Sequence, residues 1–165
     1  MQTVYSVEML LPDDKLPGYY AQIVKGIADV VTLIDRDKTM LFVKSGEDAD
    51  AIEAFTAKYK VQCERGTWLR LDEPGWHPNP QLFTDYGIIT RSDNHFLDLQ
   101  LAAVVSFSAS SPDAELASAL EQASEHALAD LTTEDGRKLI AVDRHQVELM
   151  EGIARAYRCH AELIL

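Results

Sequence analysis

No apolar run in the 165-residue chain approaches the length needed to cross a bilayer, so no membrane role is expected. The beginning, MQTVYSVEMLLPDD, lacks the basic stretch of a signal peptide and alternates like a strand, which makes a cytoplasmic location the default. Cysteine is scarce. Cys63 and Cys159 stand far apart with no Cys-x-x-Cys, and read as reduced, half-buried thiols at strand starts. The five histidines form no i, i+4 pair, so neither a metal nor another cofactor is expected. There is no P-loop, no Gly-x-Gly-x-x-Gly and no Gly-x-Ser-x-Gly elbow. No catalytic residue stands out, and a non-enzymatic role is expected. Positive charge is also short: 15 Lys and Arg oppose 27 Asp and Glu, a net charge of −12. Phosphate contacts supply most non-specific nucleic-acid affinity, so DNA and RNA are disfavoured as partners. The acidity is uneven, with 12 acids against 5 bases in residues 98–165 and 11 against 8 in residues 1–65.

What the chain does have is an internal echo. KSGEDADAIEAFTAKYKVQCE, residues 44–64, slides onto VDRHQVELMEGIARAYRCHAE, residues 142–162, at an offset of 98 with no gap. Glu53 falls on Glu151, Tyr59 on Tyr157 and Glu64 on Glu162, and Ile52 meets Met150. The elements around the two stretches follow one order. TVYSVEMLL alternates as a strand, and Pro17 opens a helix to about Ala28, its missing N–H costing nothing in the first turn. VVTLID and TMLFVK flank a turn at Arg36-Asp37-Lys38, Ser45 caps the next helix, and VQCERGTWLRL closes the set as a strand. In the second half LAAVVSFSA is a strand, Ser111 and Pro112 start a helix, and LADLTT and KLIAVD flank a turn at Asp135-Gly136. Asp143 with Gln146 reads as a capping box for the last helix, and AELIL is the last strand. The fold class expected is α+β: two tandem ferredoxin-like β-α-β-β-α-β units with antiparallel sheets, over residues 1–65 and 98–165. Such units leave one sheet face without helices, to be covered by the other unit or by a second chain in a homodimer.

Residues 66–97 join the units. Pro74, Pro78 and Pro80 exclude a helix there, and the segment holds both tryptophans. Its aromatic and imidazole side chains, Trp68, Trp76, His77, Tyr86 and His95, either pack as a lid or form a binding surface.

The segment DKLPGYYAQIVKGIAD, between a strand and VVTLI, resembles the first loop and helix of an ACT domain, which carries Asp-x-Pro-Gly followed by an apolar helical stripe. The matching positions are Asp14, Pro17, Gly18, Tyr20 and Ile23, with one extra residue between acid and proline. The resemblance covers about 60 residues; in the second half Ser111-Pro112-Asp113-Ala114 stands where Pro-Gly belongs. It implies a ferredoxin-like unit that binds an amino acid or similar effector at its first loop, here Asp14, Pro17, Gly18, Tyr19 and Tyr20. Gly18 lets a ligand approach the backbone, and free N–H groups at the helix start suit a carboxylate. The functional expectation is therefore a regulatory protein sensing a small amino-acid-like ligand. Two alternatives stay open: an acidic inhibitor or immunity-type module masking a basic protein, and an enzyme of the dimeric α+β barrel kind.

Overall fold

The computed structural model describes residues 1–12, 14, 17–71 and 75–165, all but Pro17 with their side chains. Among them are eleven strands and four α-helices, in antiparallel sheets. The chain divides into two compact units, one of residues 1–70 and 89–94, the other of 71–88 and 95–165.

In the first unit the order is β1 (Gln2–Leu10), α1 (Pro17–Ala28), β2 (Asp35–Asp37), β3 (Met40–Val43), α2 (Gly46–Ala57) and β4 (Gln62–Arg70). These strands lie in the order β2-β3-β1-β4. β1 sits between β3 and β4, bonded to β4 along its whole length from Gln2 opposite Arg70 to Leu10 opposite Gln62. Alternation sends Tyr5, Val7 and Met9 to one face, where they pack with Ile23 and Ile27 of α1 and Ala49 and Ile52 of α2. The other face carries Ser6, Phe42 and Trp68, all buried. There the Trp68 indole donates to Ser6 Oγ at 2.7 Å, and its ring meets Phe42 edge-on at 5.5 Å.

In the second unit come β5 (His77–Pro78), β6 (Gly87–Ile89, of which Ile89 falls in the first unit) and β7 (His95–Asp98). Then follow β8 (Ala102–Ala109), α3 (Leu116–Ser124), β9 (Ala129–Thr132), β10 (Lys138–Asp143), α4 (Val147–Ala156) and β11 (Cys159–Leu163). The sheet runs β11-β8-β10-β9-β5. Val105 and Phe107 of β8 pack with Ala119 and Ala123 of α3 and Met150 and Ile153 of α4. Phe107 stands where the first unit has Met9, and the buried residues of α3 are alanines where those of α1 are isoleucines. A larger strand residue and smaller helix residues fill the same kind of space.

The offset of 98 survives in the backbone. Lys38 and Gly136 both have positive φ, at 53° and 86°, and Lys60 and Arg158 are both at 59°. Ser45 Oγ accepts from the Asp48 N–H at 3.1 Å, and Asp143, 98 positions on, accepts from the His145 N–H at 2.8 Å. Met9 faces Cys63 in one ladder and Phe107 faces Ala161 in the other, each 98 on. The third strand breaks the pattern. Val7 faces Leu41, but Val105 faces Ile140, which is 99 on.

Three local expectations are corrected. Residues 31–34 are not strand, and the first hairpin turns at Lys38-Thr39, where Lys38 takes the left-handed conformation. Helix α3 starts at Leu116 instead of Ser111. Residues 111–114 form a turn closed by Ala114 N–H to Ser111 O at 3.1 Å, and the Glu115 N–H is held by Tyr157 O. Asp143 caps a 3-10 turn, Arg144–Gln146, ahead of α4, and the Gln146 side chain makes no cap bond. As VQCERGTWLRL leads one to expect, strand β4 runs to Arg70, and Trp68 lies in the first unit's sheet. Both cysteines are free thiols, Cys63 half-buried and Cys159 buried.

Gly66 allows the Ser6–Trp68 contact, since a Cβ there would lie 2.6 Å from Ser6 Oγ and 2.9 Å from Trp68 Nε1. Gly66→Ala should therefore cost about 1–3 kcal/mol, by overpacking and a broken buried hydrogen bond. Urea denaturation measures it; a loss below about 0.5 kcal/mol would show that the strand relaxes freely. By contrast, Lys60→Gly and Arg158→Gly should each stabilise by up to about 1 kcal/mol, because glycine adopts positive φ without strain.

Candidate functional site

The first loop and the end of β1 meet an open cleft of about 580 Å³, lined by Met9, Leu10, Leu11, Pro12, Thr39, Lys60 and Gln62. Three segments build it. β1 ends where its ladders with β3 and β4 end, the β2–β3 turn supplies Thr39, and the left-handed residue after α2 supplies exposed Lys60. A neighbouring cleft of about 490 Å³ shares Leu10 and Gln62 and adds Glu53, Thr56, Val61, Cys63 and Glu64. Its thiol is a poor nucleophile: burial pushes the Cys63 pKa up, a contact with Thr56 Oγ1 at 3.3 Å partly offsets this, and Glu53 adds to the rise.

Of the expected loop residues, Asp14 is an exposed turn residue, while Asp13, Lys15, Leu16 and the Pro17 side chain lie outside the described residues. Gly18 is exposed at the start of α1, and a Cβ there would meet nothing within 4 Å. Tyr19 is half-buried; its hydroxyl donates to Tyr59 O at 3.3 Å, and its ring meets those of Tyr20 and Tyr59 edge-on at 5.7 and 6.2 Å. The Tyr20 hydroxyl donates to Pro12 O, fastening the start of α1 to the chain leaving β1. Thr39, Lys60 and Gln62 were not among the residues expected from sequence. Only the hairpin and the helix end bring them to the loop. The one readable sign was Lys60 falling on Arg158 at the common offset, a base just past each helix.

The joining segment does not present its aromatic residues together. Trp68 and Trp76 are buried, at 6% and 7% exposure, so neither ring forms a surface. The Trp76 indole N–H has no partner among the described residues. His77 is exposed on β5, with Nδ1 3.7 Å from Asp130 Oδ1. Ser124 lines the same cleft of about 320 Å³, but its hydroxyl donates to Glu121 O at 2.7 Å. The His77–Asp130 contact is long and open to water, and nothing there holds an activated nucleophile. His95 is half-buried against Phe83, ring centres 5.3 Å apart. The Tyr86 hydroxyl donates to Asp143 Oδ2 at 2.7 Å. That bond, the His145 N–H and the His145 charge hold the Asp143 carboxyl below its ordinary pKa, and Tyr86 is raised in turn by the same bond. In the first unit Asp35 is a second lowered carboxyl. Burial alone would raise it, but hydrogen bonds from Thr90, Asn94 and the Arg36 N–H outweigh that, helped by the charge of Arg70. Both are structural clamps on turns. Among the described residues, no group of three or more His, Cys, Asp and Glu side chains is placed to hold a metal ion. No described helix is long and apolar enough to cross a membrane.

Against known proteins, no family model, no curated sequence and no solved structure matches this chain.

Asp35 and Asp143 have folded-state pKa values below the ordinary 3.8. Their contribution to stability is complete above that value and is lost as pH falls through the lowered values. Tyr86→Phe should raise the Asp143 pKa toward the ordinary value, read by NMR titration of the carboxyl carbon, and move acid unfolding to higher pH. An unchanged Asp143 titration would show that the Tyr86 bond does not hold the carboxyl down.

Proposed function

We propose that the protein is a non-catalytic regulatory module built from two ferredoxin-like units, the first of them ACT-like, and that it binds a small amino-acid-like ligand at the first strand-to-helix loop. The ferredoxin-like reading is supported by the order β2-β3-β1-β4 and its counterpart β9-β10-β8-β11, and by the positive-φ and cap residues that recur 98 positions apart. The ligand reading rests on one observation above the others: the cleft of about 580 Å³ opens at the end of β1 with a base, Lys60, and a neutral amide, Gln62, on its wall. An amino acid needs opposite partners at its two ends. Lys60 attracts the carboxylate, and Asp14, exposed in the first loop, supplies an acid to attract the ammonium group. Met9, Leu10 and Leu11 supply an apolar floor for a side chain. The first turn of α1 holds no acid to repel a carboxylate, and the N-cap of α3 is itself an acid, Glu115. The net charge of −12 favours a second reading, an acidic module that covers a basic protein surface.

A thermal-shift screen separates the two, because a ligand that binds only the native state raises the melting temperature. At about 1 mM, one of the amino acids or their close relatives should give a shift of several degrees. Lys60→Glu and Gly18→Val should each abolish that shift and leave the ligand-free melting temperature within about 3 °C, since both positions are exposed and Gly18 has open space around it. A shift that survives both variants places the ligand elsewhere. No shift from any metabolite, together with one from a basic protein, would replace the ligand reading by the acidic-module reading.

A further inference from the structure

We propose that the protein pairs with a second copy of itself along the free edge of β11, in one defined register. This does not rest on the ligand reading. β11 is the terminal strand of its sheet, bonded to β8 alone. Its pairs with β8 set His160 opposite Ser108 and Glu162 opposite Ser106. Ser110 N–H bonds to Arg158 O at 3.2 Å, and Ile164 N–H bonds to Val104 O at 2.8 Å. The even-numbered residues thus turn their backbone groups inward, and Cys159, Ala161 and Leu163 turn theirs outward. Among the described residues, no backbone bond outside the sheet ladders involves any of those three. The sheet's other edge strand, β5, has two residues, one of them Pro78. β11 has five, with no proline or lysine to block pairing.

The sequence of the edge is complementary to itself. A two-fold axis through Ala161 sets His160 opposite Glu162 of the partner subunit, and Glu162 opposite His160 of the partner subunit. It also sets Leu163, 49% exposed, against Cys159 of the partner subunit. The outward groups of Ala161 then form a hydrogen-bonded pair, and the His–Glu pairs fall at the closer, non-hydrogen-bonded positions. An axis through His160 or Glu162 keeps the same outward backbone groups paired but sets His160 opposite His160, or Glu162 opposite Glu162, of the partner subunit, so only the axis through Ala161 gives both residues an unlike partner. Beside the strand, a groove of about 320 Å³ between α4 and β11 carries one acid and one base, Glu151 and Arg155, so a second copy brings no excess of either sign. The result is an isologous dimer with one sheet continuous through both copies.

Sedimentation of the full chain tests this. The wild type should sediment with the mass of two chains at roughly 0.1 mM. His160→Glu should weaken the dimer at least about tenfold by setting two carboxylates opposite each other, and Glu162→Lys should do the same by removing the carboxylate that accepts from the imidazole. The double variant His160→Glu with Glu162→Lys restores opposite signs and should recover the wild-type dissociation constant. Both side chains are exposed, and circular dichroism checks that each variant keeps the wild-type fold. A wild type that stays monomeric to roughly 1 mM overturns the proposal. So does a dimer indifferent to both single changes, or a double variant no better than the singles.

Discussion

A strand in the middle of a sheet must bond its backbone on both sides, and β1 and β8 carry that requirement for the two units. β1 pairs with β3 over Tyr5–Glu8 and with β4 over its full length. Everything else in the first unit is arranged around it. Odd-numbered side chains go under α1 and α2, and even-numbered ones go to the face where Trp68 bonds Ser6. The chain turns from strand to helix where those ladders end, and that corner is where the cleft with Lys60 opens.

The second unit solves the same problem with different material. Its first and last strands repeat the first unit's register, while the third strand is displaced by one residue. Helix contacts follow: Ile140 and Val142 face the helices in place of Leu41 and Val43. Alanines on α3 pack in one cluster with Phe107 of β8. Caps and left-handed residues hold their places because they fix where helices begin and end, whereas core side chains trade volume with their neighbours.

The order of the helices and of the strands flanking them, and the cap at Ser45, were determined by the sequence alone, because those signals are local. Ser45 had to meet an N–H three residues on, Pro17 had to start a helix, and the alternation in TVYSVEMLL had one period. The gapless offset of 98 carried the same information, since left-handed and capping residues leave marks in sequence. Tertiary structure decided what long-range pairing decides. It moved the first hairpin turn to Lys38-Thr39, delayed α3 until the Glu115 N–H met Tyr157 O, and buried Trp68 and Trp76. It also brought Thr39, Lys60 and Gln62 from three separate segments to the end of β1. Nothing local in those residues speaks of a shared cleft, because their nearness depends on which strands pair and in what register. The free edge of β11 is of the same kind: HAE reads as an ordinary surface tripeptide until the sheet order leaves it last.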